Sequence, residues 1–238
     1  MIKHSLTVLE KQKNHDFFYS NFYEIMSDKS LQQLNNKIIH CKKCPRLTKY
    51  ISSIAKNKVK RFKDENYWGK PLPGFGDTKA KLLLIGLAPA AHGGNRTGRM
   101  FTGDSSGDWV AKALFDNGFA TKPSSQRLYD GFSLINAYIT ATVRCAPPEN
   151  KPLKTEFDNC FLYLKEEITI LKNIKVIVCL GKIAFDSCCK LLEIKHNKFA
   201  HGKSFVHKNW KIICSYHPSR QNTQTRRLSG LTGTRYLF

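Results

Sequence analysis

The sequence predicts an α/β fold built on a parallel sheet covered on both faces, and three observations point there. Four segments are apolar through their length and do not alternate: LLLIG (82–86), LINAYITATVR (134–144), VIVCLG (176–181) and KIICSYH (211–217). Strands read this way when neither face meets water. Helical stretches at 105–119, 154–172 and 182–193 lie between them, giving a β–α alternation. Hydrophobic residues fill 41% of 238 positions, enough for one such domain to bury a full core.

Taken in order, residues 1–40 are rich in Lys, Asn, Ser and Gln and read as a helical or loosely ordered extension without chemistry. The first strand runs into GLAPAAHGGNRTGRMFTGD (86–104), where five glycines, a proline and two arginines precede an aromatic and a lone carboxylate. The next helix opens on SSGDWVAK, directly after Asp104. The second strand ends in CAPPEN, the third in GKIAF and the fourth in HPSRQN. Ligands in such sheets bind beyond the carboxyl ends of the strands. Three of these four loops are polar and rich in Gly or Pro, so the site is expected at that edge.

Lys and Arg total 39 against 18 for Asp and Glu, a formal charge of +21 spread along the whole chain. An excess this large points to a polyanion, nucleic acid before anionic membrane. The opening MIKHSLTVLEKQKNHDFF has no sustained apolar core, and the longest apolar runs are too short to span a bilayer. A cytoplasmic, reducing location is therefore expected, with the eight cysteines as thiols or metal ligands. Cys41 and Cys44 form a C-x2-C knuckle, Cys145 follows the second strand and Cys160 lies on the next helix. Four such thiolates suit a [4Fe–4S] cluster or a structural zinc, and spacing alone does not choose. The rival reading is a fortuitous knuckle with two buried thiols. Cys179, Cys188, Cys189 and Cys214 read as small buried hydrophobes.

CKKCPRL, YWGKPLPGFGD, GLAPAAHGGNRTGRMFTGD, YITATVRCAPPENKP and SYHPSRQNTQT occur in this order between about residues 41 and 225. Together they resemble the uracil-DNA glycosylase superfamily, in its iron–sulfur B-type branch, the fifth family. The resemblance implies a three-layer α/β/α fold with a central four-stranded parallel sheet. It implies a [4Fe–4S] cluster on Cys41, Cys44, Cys145 and Cys160, and removal of uracil and related deaminated bases from double- or single-stranded DNA. It also divides the chain into an extension (1–40), a glycosylase-like domain (41–228) and an atypical tail (229–238).

A glycosylase must extrude its target nucleotide into a pocket. Glycine lets backbone amides approach the base, and Gly86, Ala88 and the pair Gly93 and Gly94 fit that need. Phe101 matches the family's stacking position; otherwise it is a core phenylalanine. Breaking the N-glycosidic bond leaves positive charge on the sugar and negative charge on the base. Asp104 matches the branch's catalytic aspartate, and its rival role is the N-cap of the following helix. His217 matches a histidine that donates to the pyrimidine carbonyl, and otherwise fixes the HPS turn. Asn150 matches a polar residue that holds base or water, with turn formation as its rival. His92 could touch base or backbone. Arg220, Gln221 and Asn222 match the loop that enters the minor groove, where the rival is a solvated polar loop. Most DNA affinity should then be sequence-independent and salt-sensitive, with selectivity left to the pocket.

Two departures stand out. Ala141 occupies the place where related iron–sulfur branches carry a base-reading asparagine, which fits a wider substrate range including hypoxanthine. The end reads QTRRLSGLTGTRYLF, with Arg226 where the family has glycine and no further helix. The rival functions are a non-catalytic, metal-stabilised DNA-binding protein and a glycosylase inactivated by this ending. A phosphate-handling α/β enzyme fits worse, since the chain has no GxxxxGK[ST]. A monomer is the simplest expectation.

Overall fold

The computed structural model describes residues 26–195 and 198–225, and the backbone alone at Arg220 and Gln221, so the predicted groove contacts of those two side chains lie outside the described residues. The altered ending from Arg226 onward, and with it the 229–238 tail, lies outside the described residues. Six strands form one sheet in the order β1(Phe75–Gly76), β3(Ala137–Ala141), β2(Leu82–Gly86), β4(Val176–Leu180), β6(Trp210–Ser215), β5(Ser204–His207). The inner four, β3, β2, β4 and β6, run parallel. β1 and β5 add an antiparallel strand at each edge, so the expected four-stranded parallel sheet is the centre of a mixed six-stranded one. These edges escape a reading of apolar runs because β1 is two residues long and β5 is half exposed.

The strands look non-alternating because both faces are buried, and the structure separates the two sets. Leu83, Ile85, Tyr138, Ile177, Cys179, Ile212 and Cys214 join one core cluster. Leu82, Leu84, Ile139, Val178, Leu180 and Ile213 join the other. The first face is covered by α1 (26–39), α5 (Lys154–Ile170) and α6 (Lys182–Leu192), the second by α4 (Ser105–Asp116). This is a three-layer α/β/α arrangement. Leu31, Leu34 and Ile38 of α1 are fully buried, so the polar N-terminal stretch carries one apolar stripe at helical spacing into the core.

β3 is shorter than the apolar run that predicts it. Beyond Ala141 the chain leaves the ladder, yet Thr142 N–H and Val143 N–H still donate to Gly86 O and Leu87 O. A buried ion pair holds this end of β3. Arg144 donates to both carboxylate oxygens of Glu167 on α5, at 2.9 and 2.6 Å, and the Thr140 hydroxyl donates to one of them at 2.6 Å. In the parallel order β3-β2-β4-β6 the chain leaves β2 for β3 on one side and leaves β4 for β6 on the other. That makes the carboxyl edge beside β2 the switch point where such sheets receive ligands.

No helix among the described residues is long and apolar enough to cross a membrane.

Candidate functional site

A cavity of about 370 Å³ opens at that edge. Its walls come from the loop after β2 (Ala88, Pro89), the turn before α4 (Phe101, Asp104), the CAPPEN loop (Asn150) and the stretch after β6 (His217). Residues far apart in the chain therefore meet around one space. Gly86 lies beneath the cavity: a Cβ there would come within 2.9 Å of the Phe101 ring, so glycine lets that ring settle on the end of β2. Phe101 has φ 48, a left-handed conformation costly for an aromatic residue, and it turns the ring over the strand end. The His217 ring stands 5.9 Å from it, centroid to centroid.

Asp104 caps a helix and lines the cavity at once. Its Oδ1 accepts the Gly107 amide at 2.8 Å and so caps α4. Oδ2 lies so close to Gly93 that a Cβ on that residue would stand 2.0 Å away. Burial raises the Asp104 carboxyl above its usual range, while the Gly107 and Ser106 amides and Arg96 favour the anion. Burial also pushes His217 down to about 4, so its imidazole is neutral at physiological pH and carries one N–H. Its carbonyl accepts from the side chain of Asn222 at 2.7 Å, which turns that amide inward to hold the HPS turn. Arg220 and Gln221 open the short helix α7 (Arg220–Gln224).

Asn150 has φ 57, and its neighbour Glu149 has φ 54, so the APPEN turn presents Asn150 at the cavity rim. His92 lies outside the cavity. It lines an adjoining hollow of about 540 Å³ that shares Ala90, Asp104 and Asn150 with the first. Its Nδ1 is 3.0 Å from the Tyr67 hydroxyl, and burial lowers its pKa. Ala141 is buried at the end of β3, paired across the sheet with Gly86.

Sequence reasoning missed the arginines that build the first loop. Arg96 donates to His92 O and Gly103 O, both at 2.8 Å, and pairs with Glu65. Arg99 pairs with Asp130 at 2.9 Å and bonds Ser125 and Thr102. Both guanidiniums are buried, which fixes a loop otherwise rich in glycine. Their signal was two arginines inside an apolar, Gly-rich run, where an unpaired charge would be costly.

Cys44, Cys145 and Cys160 share a small core cluster with Leu47, Ile51 and Val143, and Cys41 borders the main core. The CxxC loop before α2 (Pro45–Lys56) is strapped to α5 by Arg46, whose guanidinium donates to both oxygens of Glu156 at 2.8 and 2.7 Å. Asn159 Nδ2 donates to Cys44 Sγ at 3.3 Å. Burial raises the thiols of Cys44, Cys145 and Cys160, the last to about 11, and for each the nearby cysteines add to the rise. These four residues are the candidates to hold a metal group.

An aromatic ring, a carboxylate and an uncharged imidazole thus line one cavity at the carboxyl edge of the sheet. A profile of the uracil DNA glycosylase superfamily matches residues 73–234. The type-5 uracil-DNA glycosylase of Pyrobaculum aerophilum is 42% identical over 194 residues, covering 82% of this chain and 84% of that protein. The type-5 enzyme of Thermus thermophilus is 42% identical over 192 residues, 79% and 87% of the two chains. A type-4 uracil-DNA glycosylase from Archaeoglobus fulgidus is 26% identical over 197 residues, 80% and 82%. The chain belongs to the uracil DNA glycosylase superfamily, and within it to the type-5 family.

Proposed function

We propose that the protein is a base-excision repair glycosylase that hydrolyses the N-glycosidic bond of uracil in DNA. The observation that carries this reading is the meeting of Asp104 and His217 in one cavity floored by Phe101. The extruded base stacks on Phe101, with Ala88 and Pro89 excluding water from its other side. As the bond breaks, the electron pair leaves with the base and C1′ becomes cationic. Asp104 stabilises that cation and orients a water whose oxygen attacks C1′, its proton passing to the carboxylate or to solvent. The neutral His217 donates its N–H to the base carbonyl, where negative charge grows. Asn150 positions the water or the base edge from the rim.

Deaminated bases beyond uracil, hypoxanthine among them, enter the same cavity because Ala141 offers no amide to reject them. The +21 charge supplies sequence-independent attraction to DNA, to which Arg220 and Gln221 add a contact in the minor groove from the turn that Asn222 holds. The protein acts as a cytoplasmic monomer.

Cys41, Cys44, Cys145 and Cys160 would hold a [4Fe–4S] cluster. The chemistry of the donor set suits it: the soft thiols of Cys44, Cys145 and Cys160 share one small cluster, Cys41 is close enough to raise the latter two, and Cys44 already accepts an N–H bond of the kind that tunes cluster sulfurs. Among the described residues no three His, Cys, Asp or Glu side chains converge on one metal ion. When bound, the cluster would supply a structural tie between the CxxC loop, β3 and α5, since hydrolysis needs no electron transfer.

The test is incubation with duplexes carrying a single uracil or hypoxanthine, followed by alkali to cut abasic sites. Strand breaks at the lesion are expected. Intact strands with both lesions, from protein that binds the same duplexes, would contradict the enzyme reading.

A further inference from the structure

The hollow beside the base cavity is larger than the cavity and opens directly onto Asp104. Its lining carries both signs of charge. Asp108 and Glu149 stand in its wall together with Asp104, whereas the single guanidinium there belongs to Arg61. Asp108 accepts from Gln126 at 2.7 Å, and Glu149 pairs with Lys151 at 3.0 Å. Arg61 is exposed and pairs with no carboxylate among the described residues; it lies 4.8 Å from the centroid of the Phe62 ring. The buried Arg96 guanidinium also stacks on that ring, at 3.9 Å. Phe62 thus holds Arg61 in place, and Tyr50 supplies another aromatic wall.

We infer that this hollow seats the sugar and phosphodiester next to the extruded nucleotide, with Arg61 as the partner of that phosphate. Asp104, Asp108 and Glu149 repel a phosphate, which leaves Arg61 as its partner in this hollow. Arg96 connects the ring beneath Arg61 to the loop of Asp104: it stacks on Phe62, pairs with Glu65 and donates to the carbonyl of Gly103, next to Asp104. A phosphate held by Arg61 therefore fixes the strand against the same loop that aims the carboxylate. Arg61 is a positioning residue and touches no reacting atom.

The inference rests on the glycosylase reading, and the experiment separates the two. Single-turnover excision and binding are measured on uracil oligonucleotides in which each phosphate flanking the uracil is replaced in turn by a neutral methylphosphonate. For the wild type one replacement should weaken binding about tenfold, the size expected of a lost charge-assisted contact, and the others much less. Arg61→Gln should show that loss on native DNA and no further loss on the sensitive oligonucleotide, with Arg61→Lys recovering part of it. The salt dependence of its binding should flatten by about one phosphate contact. Equal binding by the wild type to every replacement, or a full further loss in Arg61→Gln, would overturn the inference. A methylphosphonate penalty that vanishes in Arg61→Gln without any base release supports this contact and overturns the glycosylase reading instead.

Discussion

Oδ1 of Asp104 caps α4 while Oδ2 presses on Gly93, so one carboxylate is tied to helix and loop together. The cap reading and the catalytic reading of this residue are thus compatible, and Gly93 is the position that separates them. In Gly93→Ala the new Cβ would sit 2.0 Å from Oδ2 and must displace it. Excision rates should fall by about 10²-fold or more, the scale of a lost positioned acid–base group. The melting temperature should drop only modestly, because Oδ1 can keep its bond. His217 makes a prediction about pH. Its folded pKa of about 4 lies below the ordinary 6.5, so the unfolded chain binds the extra proton between those values. Stability from this group is therefore present above about pH 6.5 and lost as pH falls towards 4, by up to about 3 kcal/mol. Asp104 works in the opposite sense, since a raised carboxyl favours the folded state only while protonated. Denaturant titrations of wild type and His217→Gln from pH 7 to pH 4 should show the acid loss shrinking in the variant.

At the scale of elements, the end of β3 depends on a charge pair that no local pattern announces. Arg144 and Glu167 are both almost fully buried and join strand to helix across the core beside Cys145. Removing one partner leaves a buried charge uncompensated, so Glu167→Gln should cost about 3–5 kcal/mol in chemical denaturation. The double change Arg144→Met with Glu167→Leu should cost clearly less. The strands themselves were legible because 82–86 and 176–180 are apolar on both faces and end where their apolar runs end. The run at 134–144 misled at both ends. Leu134 makes an isolated bridge to Ala120, and Thr142 and Val143 keep strand-like bonds to the loop after β2. Gly93 was legible as a place of close approach, but the group that approaches is Asp104, which only the folded loop reveals. His92 read as part of the same loop, and its contact with Tyr67 had no signal in its spacing.

Across the whole molecule, the carboxyl edge of the sheet gathers what the chain disperses, and the thiol group ties the first described helices to it. α1 packs into the main core, the CxxC loop follows it, and Arg46 binds that loop to α5. Cys41→Ala should therefore lower soluble yield and melting temperature together with the iron and sulfide content of protein purified without air. Cys188→Ala, deep in the main core, should leave iron content unchanged; equal iron in Cys41→Ala and wild type would remove that cysteine from the ligand set. The central claim is that the cavity between Asp104 and His217 breaks the bond to an extruded base. Single-turnover excision of uracil from duplex DNA by wild type and Asp104→Asn tests it most directly, because asparagine preserves the helix cap and removes the charge. A loss of about 10²-fold or more is expected, at a melting temperature close to wild type. Equal rates for the two proteins would contradict it.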